Sequence, residues 1–181
     1  MGLYDLTHIP EPSQFLVDNL DILPQGKVLD LAMGNGRNAI FLAKHGYDVE
    51  GVDISAAAVR NAKGMALKAR VSLKAKVVDL ESGYKIRKSA YDIIICFNYL
   101  QRSLIQDIKD GIVNGGFVVF ETYIIDQMEY GRPRNPEHLL KYNELLTTFR
   151  EFRCLRYREG VIKSQKKIKA VASIIAQKTS L

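Results

Sequence analysis

The stretch Lys27 to Ala43, KVLDLAMGNGRNAIFLA, restricts the fold more than any other part of the chain. Lys27 to Leu31 is apolar apart from its ends and reads as a buried strand. Gly34 and Gly36 make a tight turn, and Asn38 to Lys44 resumes with helical character. A strand that turns on glycines into a helix gathers backbone N–H groups and the positive end of a helix dipole in one small space. Glycine at 34 and 36 lets a ligand reach the main chain, which a side chain would prevent. Asp30 lies inside the strand, and a carboxylate there needs a cationic or donor partner to offset its burial. The pattern predicts a ligand with an anionic end and an amino group.

Gly34-Asn35-Gly36-Arg37-Asn38-Ala39 also matches the G-x-G-x-x-G/A dinucleotide fingerprint, which is unspecific when it stands alone. The plain alternative is a strand-to-helix turn whose Asp caps local backbone. Composition narrows the field. A chain of 181 residues suits one domain with a sizeable core, and its apolar and charged fractions are those of a globular protein. No run is long enough to span a bilayer, and the first eight residues lack a signal core, so a cytoplasmic location is the expectation. Cys96 and Cys154 read as reduced, buried thiols. His8, His45 and His138 show no metal-ligand spacing, and no metal is expected. The net charge of +6 suits an anionic partner or a solvated surface equally well.

Residues 10–26 form a lead-in segment, with Phe15, Leu16 and Leu20 on one face of a short helix and Pro24-Gln25-Gly26 as a turn. Gly46 ends the first full helix. Tyr47 to Val52 is a second strand with Asp53 at its end, and Ser55 is placed to cap a helix over 56–70. Asp53 stands 17 residues beyond Gly36, near the spacing at which a carboxylate reaches a nucleoside's ribose hydroxyls. Leu73, Ala75 and Val77 alternate with Lys74 and Lys76, the period of a strand with one wet face at a sheet edge. Ile93 to Ile95 and Phe117 to Phe120 are apolar at successive positions, as in strands covered on both faces. Asp79 ends the third strand, where it could accept from an adenine amino group.

Tyr91 to Phe97 is the fourth strand. Ligands of doubly wound sheets sit beyond the carboxyl ends of strands, so Asn98, Tyr99 and Arg102 are candidate site residues. A helix over 104–111 and a turn at Asn114-Gly115-Gly116 lead into the fifth strand. Residues 121–138 read as a substrate lid loop carrying Tyr123, Arg132 and Arg134, with Asn135 and Pro136 starting a helical turn. A short helix over 143–150 precedes two strands, 152–161 and 167–177, joined by 162–166 and therefore antiparallel. Ala170 to Ala176 is apolar enough to lie inside the sheet.

Asp30, Ala32 and the two glycines resemble the first motif of class I S-adenosylmethionine-dependent methyltransferases. The whole run from Gly34 through Asp53 is similar to the tellurite-resistance methyltransferase family. The resemblance covers residues 27–98 and continues more loosely through the terminal hairpin. It implies an α/β, Rossmann-like, doubly wound and mostly parallel seven-stranded sheet with a C-terminal antiparallel hairpin, strand order 3-2-1-4-5-7-6. One methyltransferase domain would span 1–181, with 1–26 leading in. The implied cofactor is S-adenosyl-L-methionine, with S-adenosyl-L-homocysteine as product. Its implied binding positions are Asp30, Ala32, Met33, Gly34, Gly36, Arg37, Asn38, Asp53, Ile54, Asp79, Leu80, Asn98 and Tyr99. Asp30 would orient the amino group, Gly34 and Gly36 admit the methionine portion, Asp53 hold the ribose and Asp79 the adenine amino group. Arg102, Tyr123 and Arg132 are the candidates on the catalytic, acceptor-binding side.

The acceptor is expected to be a small nucleophile, a thiol or a chalcogen oxyanion among the candidates. The best-known members carry a His-Arg pair in the last two strands, and Val161 to Lys167 has no histidine. Asn98 to Arg102 lacks the prolines of DNA amino-methyltransferases, which disfavours a nucleic-acid base as acceptor. An NAD-dependent oxidoreductase stays open as an alternative, opposed by Asp30, the terminal hairpin and the lack of a second catalytic domain. A non-catalytic module that holds the cofactor and acts on a protein or RNA partner is the other. A monomer or homodimer without membrane attachment is expected.

Overall fold

The alternation of buried and charged positions read above resolves into two compact units in a computed structural model, which describes residues 10–163 and 168–180. One unit ends at Tyr84 and the other begins at Lys85. His8, residues 164–166 of the expected final link and Lys167, the expected first residue of the last strand, lie outside the described residues.

In the first unit, α1 (Gln14–Val17) precedes β1 (Lys27–Leu31) and α2 (Arg37–Lys44). β2 (Asp48–Asp53), α3 (Ala56–Lys68) and β3 (Lys74–Val77) follow. β1 and β2 are parallel with Asp30 beside Gly51, and β2 and β3 are parallel with Asp53 beside Val77. This registry carries Asp53 to the carboxyl edge of the unit, with Asp79 two residues past the end of β3. Met33, Val59, Ala62 and Ala75 pack into one cluster, and Ile40, Met65 and Ala66 into another. Small residues on α3 bring that helix close to the glycine turn. A Cβ on Gly36 would stand 2.9 Å from Ala62 Cβ. The lysines of β3 meet carboxylates of β2, Lys74 on Asp48 at 2.7 Å and Lys76 on the buried Glu50 at 3.1 Å.

The second unit holds β4 (Tyr91–Phe97), α4 (Ile105–Gly111) and β5 (Ile112–Tyr123). α5 (Gln127–Tyr130), α6 (Glu144–Thr148), β6 (Arg153–Lys163) and β7 (Ile168–Gln177) complete it. β4 and β5 are parallel, and β7 runs antiparallel to both β5 and β6. The strands are ordered β3-β2-β1-β4-β5-β7-β6 in a single seven-stranded sheet. This is the order expected from the resemblance.

Two local expectations are corrected. Asn114, Gly115 and Gly116 do not precede the fifth strand but sit within it, at a shift in register between Tyr91–Ile112 and Ile93–Phe117. The expected loop over 121–138 begins later, because Glu121 to Tyr123 pair with β7 at Ser173, Ala172 and Val171. The segment that follows is cinched at its base. Ile125 N–H donates to Leu140 O (3.0 Å) and Leu140 N–H to Tyr123 O (2.9 Å). Its interior contains α5 and a single 3-10 turn at Pro136–His138, begun by Asn135 Oδ1 accepting from Glu137 N–H. No helix among the described residues is long and apolar enough to cross a membrane.

Candidate cofactor and acceptor sites

The glycine turn of the first unit is built around two carboxylates. Asp53 turns back from the end of β2, its Oδ2 accepting from Gly34 N–H and its Oδ1 from Ser55 N–H, both at 2.8 Å. It thus fixes the turn and the start of α3 together, while Ser55 Oγ accepts from Ala58 N–H at 3.2 Å. Each Asp53 oxygen keeps a second lone pair, so the same group can still accept from a ligand hydroxyl. Beside it Ile54 is 66% exposed, an apolar surface next to a carboxylate at the strand end. Asp79 accepts from Glu81 N–H at 2.9 Å and from the Ser82 hydroxyl, and these bonds hold its carboxyl below the usual range. Leu80 beside it is buried.

Asp30 is different. It is 1% exposed, and its Oδ2 has no hydrogen-bond partner among the described residues. Burial drives its pKa up to about 8, against the opposing pull of Arg37 and of the Ala39 N–H. A buried oxygen left unmatched on the strand before a glycine turn has the chemistry to accept from a ligand ammonium. The turn itself is open at Gly34. Gly34 takes φ +57 and a Cβ there would meet nothing within 4 Å. These observations fit a ligand with an amino group and a hydroxylated sugar.

The other expected site residues of this turn have the following surroundings. Gly36 takes φ +78, and its missing Cβ makes room for α3. Met33 packs its side chain over Gly51 in the core, so only its backbone belongs to the turn, where Met33 O accepts from Gly36 N–H. Asn38 is buried, and its Oδ1 accepts from Ser13 N–H at 2.8 Å, anchoring the lead-in segment. Ala32 holds φ +52, a conformation that glycine takes without strain. Arg37 is half-buried, with its charge acting on Asp30.

In the second unit, Asn98 leaves β4 exposed and left-handed at φ +58, its N–H donating to Glu121 O at 2.8 Å. Tyr99 is half-buried and its carbonyl accepts from Cys96 Sγ. Arg102, expected on the acceptor side, is engaged elsewhere. Its guanidinium donates to both Glu144 oxygens (2.7 and 3.0 Å), to Glu137 O (2.7 Å) and to Leu139 O (2.8 Å). It is a fastener for residues 137–144, beside a mainly apolar cavity of about 330 Å³ lined by Ile125, Leu139 and Leu140. Arg132 and Arg134 are exposed. The Arg132 carbonyl is held by Gln127 Nε2 at 3.1 Å, and Gln127 Oε1 accepts from Ala170 N–H at 2.8 Å. The loop is thereby tied to the start of β7.

The sequence reading missed the polar cluster on β5, β7 and β6. Glu121 is fully buried, yet it accepts from Lys169 Nζ (2.7 Å), Ser173 Oγ (2.7 Å) and Arg158 Nη2 (3.0 Å). Burial alone would raise its carboxyl; the Lys169 charge and these hydrogen bonds outweigh that and hold it below the ordinary value. Its only signal in the sequence was an acid following the apolar run Phe117 to Phe120. Cys154 is exposed rather than buried, whereas Cys96 is buried as expected. No cluster of metal-binding side chains occurs among the described residues.

Comparison with known proteins gives this geometry a context. The family model described as "Tellurite resistance protein TehB" matches residues 3–176. The chain belongs to the TehB family. Its fold is shared with the crystal structure of TehB from Haemophilus influenzae, with a TM-score of 0.81 at 22% identity, over 93% of this chain and 63% of that one. Hemagglutinin 1 of Eikenella corrodens is 31% identical over 142 residues, covering 75% of this chain and 46% of that protein. A ubiquinone biosynthesis O-methyltransferase of Pectobacterium carotovorum is 30% identical over 101 residues, covering 53% of this chain and 42% of that one. The chain therefore spans less than half the length of these two curated relatives. The TehB family match extends past residues 27–98, where the sequence motifs lie, into the terminal hairpin.

Proposed function

We propose that this TehB-family chain is one methyltransferase domain that moves a methyl group from S-adenosylmethionine to a small nucleophilic acceptor, a thiol or a chalcogen oxyanion. The observation that carries this reading is the unmatched, buried Asp30 Oδ2 on the strand that leads into the open glycine turn at Gly34. A dinucleotide has no ammonium to put there, which turns the reading away from an oxidoreductase.

Asp30 would take the amino group of the cofactor, Gly34 would admit its methionine portion to the backbone, and Asp53 would accept from the ribose hydroxyls. Asp79, with Ile54 and Leu80, would hold the adenine. The bound sulfonium supplies a methyl group that is already activated. The protein's remaining task is to orient a nucleophile and exclude water, which needs no dedicated base when the nucleophile is a soft anion. Asn98 and Tyr99 are further candidates for cofactor contact, and Tyr123 and Arg132 for acceptor contact. Arg102 serves by holding residues 137–144 in place. The expected setting is the cytoplasm, as a monomer or homodimer.

Calorimetric titration with S-adenosylmethionine tests the reading, with tight binding expected for the unmodified chain and at least about a tenfold loss in Asp53→Ala, the equivalent of ~1.4 kcal/mol. Unchanged affinity removes the ribose role, and absence of binding by the unmodified chain removes the assignment. Labelled cofactor with a panel of thiols and of tellurite and selenite then identifies the acceptor.

A further inference from the structure

The cavity of about 330 Å³ beside Arg102 is built from the segments that leave β4 and β5. Arg102 follows the end of β4 at Phe97, and Ile125 follows the end of β5 at Tyr123. Ligands of doubly wound sheets sit beyond the carboxyl ends of strands, which is where these two segments lie. The apolar lining comes from Leu139 and Leu140, which are almost wholly buried, and from Ile125 and Pro136.

The polar groups around the cavity are already committed. Pro136 has no N–H, and each main-chain N–H from 137 to 141 donates within the protein. Glu137 N–H donates to Asn135 Oδ1, His138 N–H to Asn135 O and Leu139 N–H to Pro136 O. Leu140 N–H donates to Tyr123 O, Lys141 N–H to Glu144 Oε2 and Ile125 N–H to Leu140 O. The Arg102 guanidinium is engaged by Glu144 and by the Glu137 and Leu139 carbonyls. Beyond that pair, the lining carries one ammonium, Lys141, and one carboxylate, Glu137, of opposite sign. An oxyanion placed here would give up its hydration without gaining a set of donors. An apolar body would give up nothing and would release water from the lining. An apolar cavity of about 150 Å³ holds a benzene ring. A volume of about 330 Å³ therefore admits a ring with its substituents.

We propose that this cavity receives the apolar ring of the methyl acceptor, and that the acceptor is an arenethiol rather than a chalcogen oxyanion. This rests on the methyltransferase reading for the identity of the reaction, but not for the existence of the apolar site. An arenethiol ionises more readily than an alkanethiol, because the ring delocalises the charge. It thus supplies a thiolate nucleophile without a side-chain base. The thiol proton goes to solvent, and the thiolate sulfur forms a bond to the methyl carbon as the sulfonium's carbon–sulfur bond breaks. The electron pair stays on the departing thioether sulfur.

Thiophenol, 2-mercaptoethanol and selenite separate the possibilities. Each is titrated calorimetrically into the full chain without cofactor, into Ile125→Trp, which fills the cavity, and into Ile125→Ala, which enlarges it. Thiophenol should bind at least about tenfold more tightly than either of the others. Ile125→Trp should weaken thiophenol by about tenfold or more, and Ile125→Ala should shift preference towards 2-naphthalenethiol by about tenfold. Urea unfolding certifies the folding of both variants, and the naphthalenethiol shift decides alone if the tryptophan is not accommodated. With labelled cofactor, and rates normalised to the thiolate present, thiophenol should be methylated about tenfold more efficiently than 2-mercaptoethanol. Equal binding of the two thiols, selenite binding as tight as thiophenol, or preferences unchanged in the folded Ile125 variants would each overturn the proposal. So would thiophenol that binds but is not methylated by a chain that holds S-adenosylmethionine. If S-adenosylmethionine itself does not bind the unmodified chain, the methyltransferase reading fails, and the thiophenol titration still decides the apolar site.

Discussion

Replacing Asp30 with asparagine should make the cofactor-free protein more stable at neutral pH while disabling cofactor binding. In the folded chain burial raises the Asp30 pKa from 3.8 to about 8. Between those values the unfolded chain has released the proton and the folded chain retains it. The folded state binds more protons, so stability falls as pH rises, by ~1.4 kcal/mol per pH unit from this group alone. The contribution is fully present below about pH 4 and has been lost by about pH 8. At pH 7 the deficit approaches ~4 kcal/mol, with local relaxation reducing it. Asparagine cannot ionise, but its amide donors replace an acceptor, and an unmatched buried donor costs about 1–3 kcal/mol. A net gain of about 1–3 kcal/mol at pH 7 is expected. Urea unfolding at pH 5, 6, 7 and 8 measures it, with the gap between variant and parent widening by up to ~1.4 kcal/mol per unit. Parallel stability lines would refute the reasoning, because then Asp30 would carry the same charge in both states. In the parent, binding of an ammonium requires Asp30 to ionise, so S-adenosylmethionine affinity should climb towards pH 8. Above about pH 8 it should fall as the ligand's own α-amine deprotonates.

Three other substitutions probe different parts of the chain. Gly36→Ala should cost roughly 1–3 kcal/mol in urea unfolding, from its positive φ and the approach to Ala62, whereas Gly34→Ala should cost about 1 kcal/mol and act mainly on cofactor affinity. Arg102→Ala should cost about 1 kcal/mol and speed amide exchange over residues 137–144; Arg102→Lys should not restore protection, since lysine lacks the planar fork that engages Glu144. Glu121→Ala should destabilise by about 1–3 kcal/mol, from three lost hydrogen bonds and the space left in the sheet, because Lys169 and Arg158 are partly exposed and water can take over their solvation. Because the Glu121 carboxyl is held below its ordinary value, its contribution is present above the unfolded pKa of 4.5 and is lost as pH falls through the lower folded value.

Much of the fold was legible because periodicity and turn chemistry agree over β1 to β4. Lys27–Leu31 and Tyr91–Phe97 have the bounds expected from their apolar runs, and Ser55 caps α3 as its position foretold. Asp30 was legible through a single discord, an acid in a buried strand, and the structure gives that discord physical form in an unmatched oxygen. Local pattern could not show which contacts are made over long range. Asn38 reads as a ligand-facing helix start until Ser13 arrives from 25 residues away. Glu121 reads as the first residue of a loop until Lys169, 48 residues further on, pairs with it. The same holds for Arg102, whose partners lie 35 to 42 residues ahead.

Asp53 carries a consequence for anyone selecting variants of this chain. Its two oxygens tether the glycine bend and the head of the following helix before any small molecule arrives. Selection for folding alone would retain it, even in a population never exposed to a nucleoside. An Asp53 variant that loses affinity has therefore lost both a contact and the scaffold that presents the neighbouring amides, and only comparison with a Gly34 replacement can apportion the two.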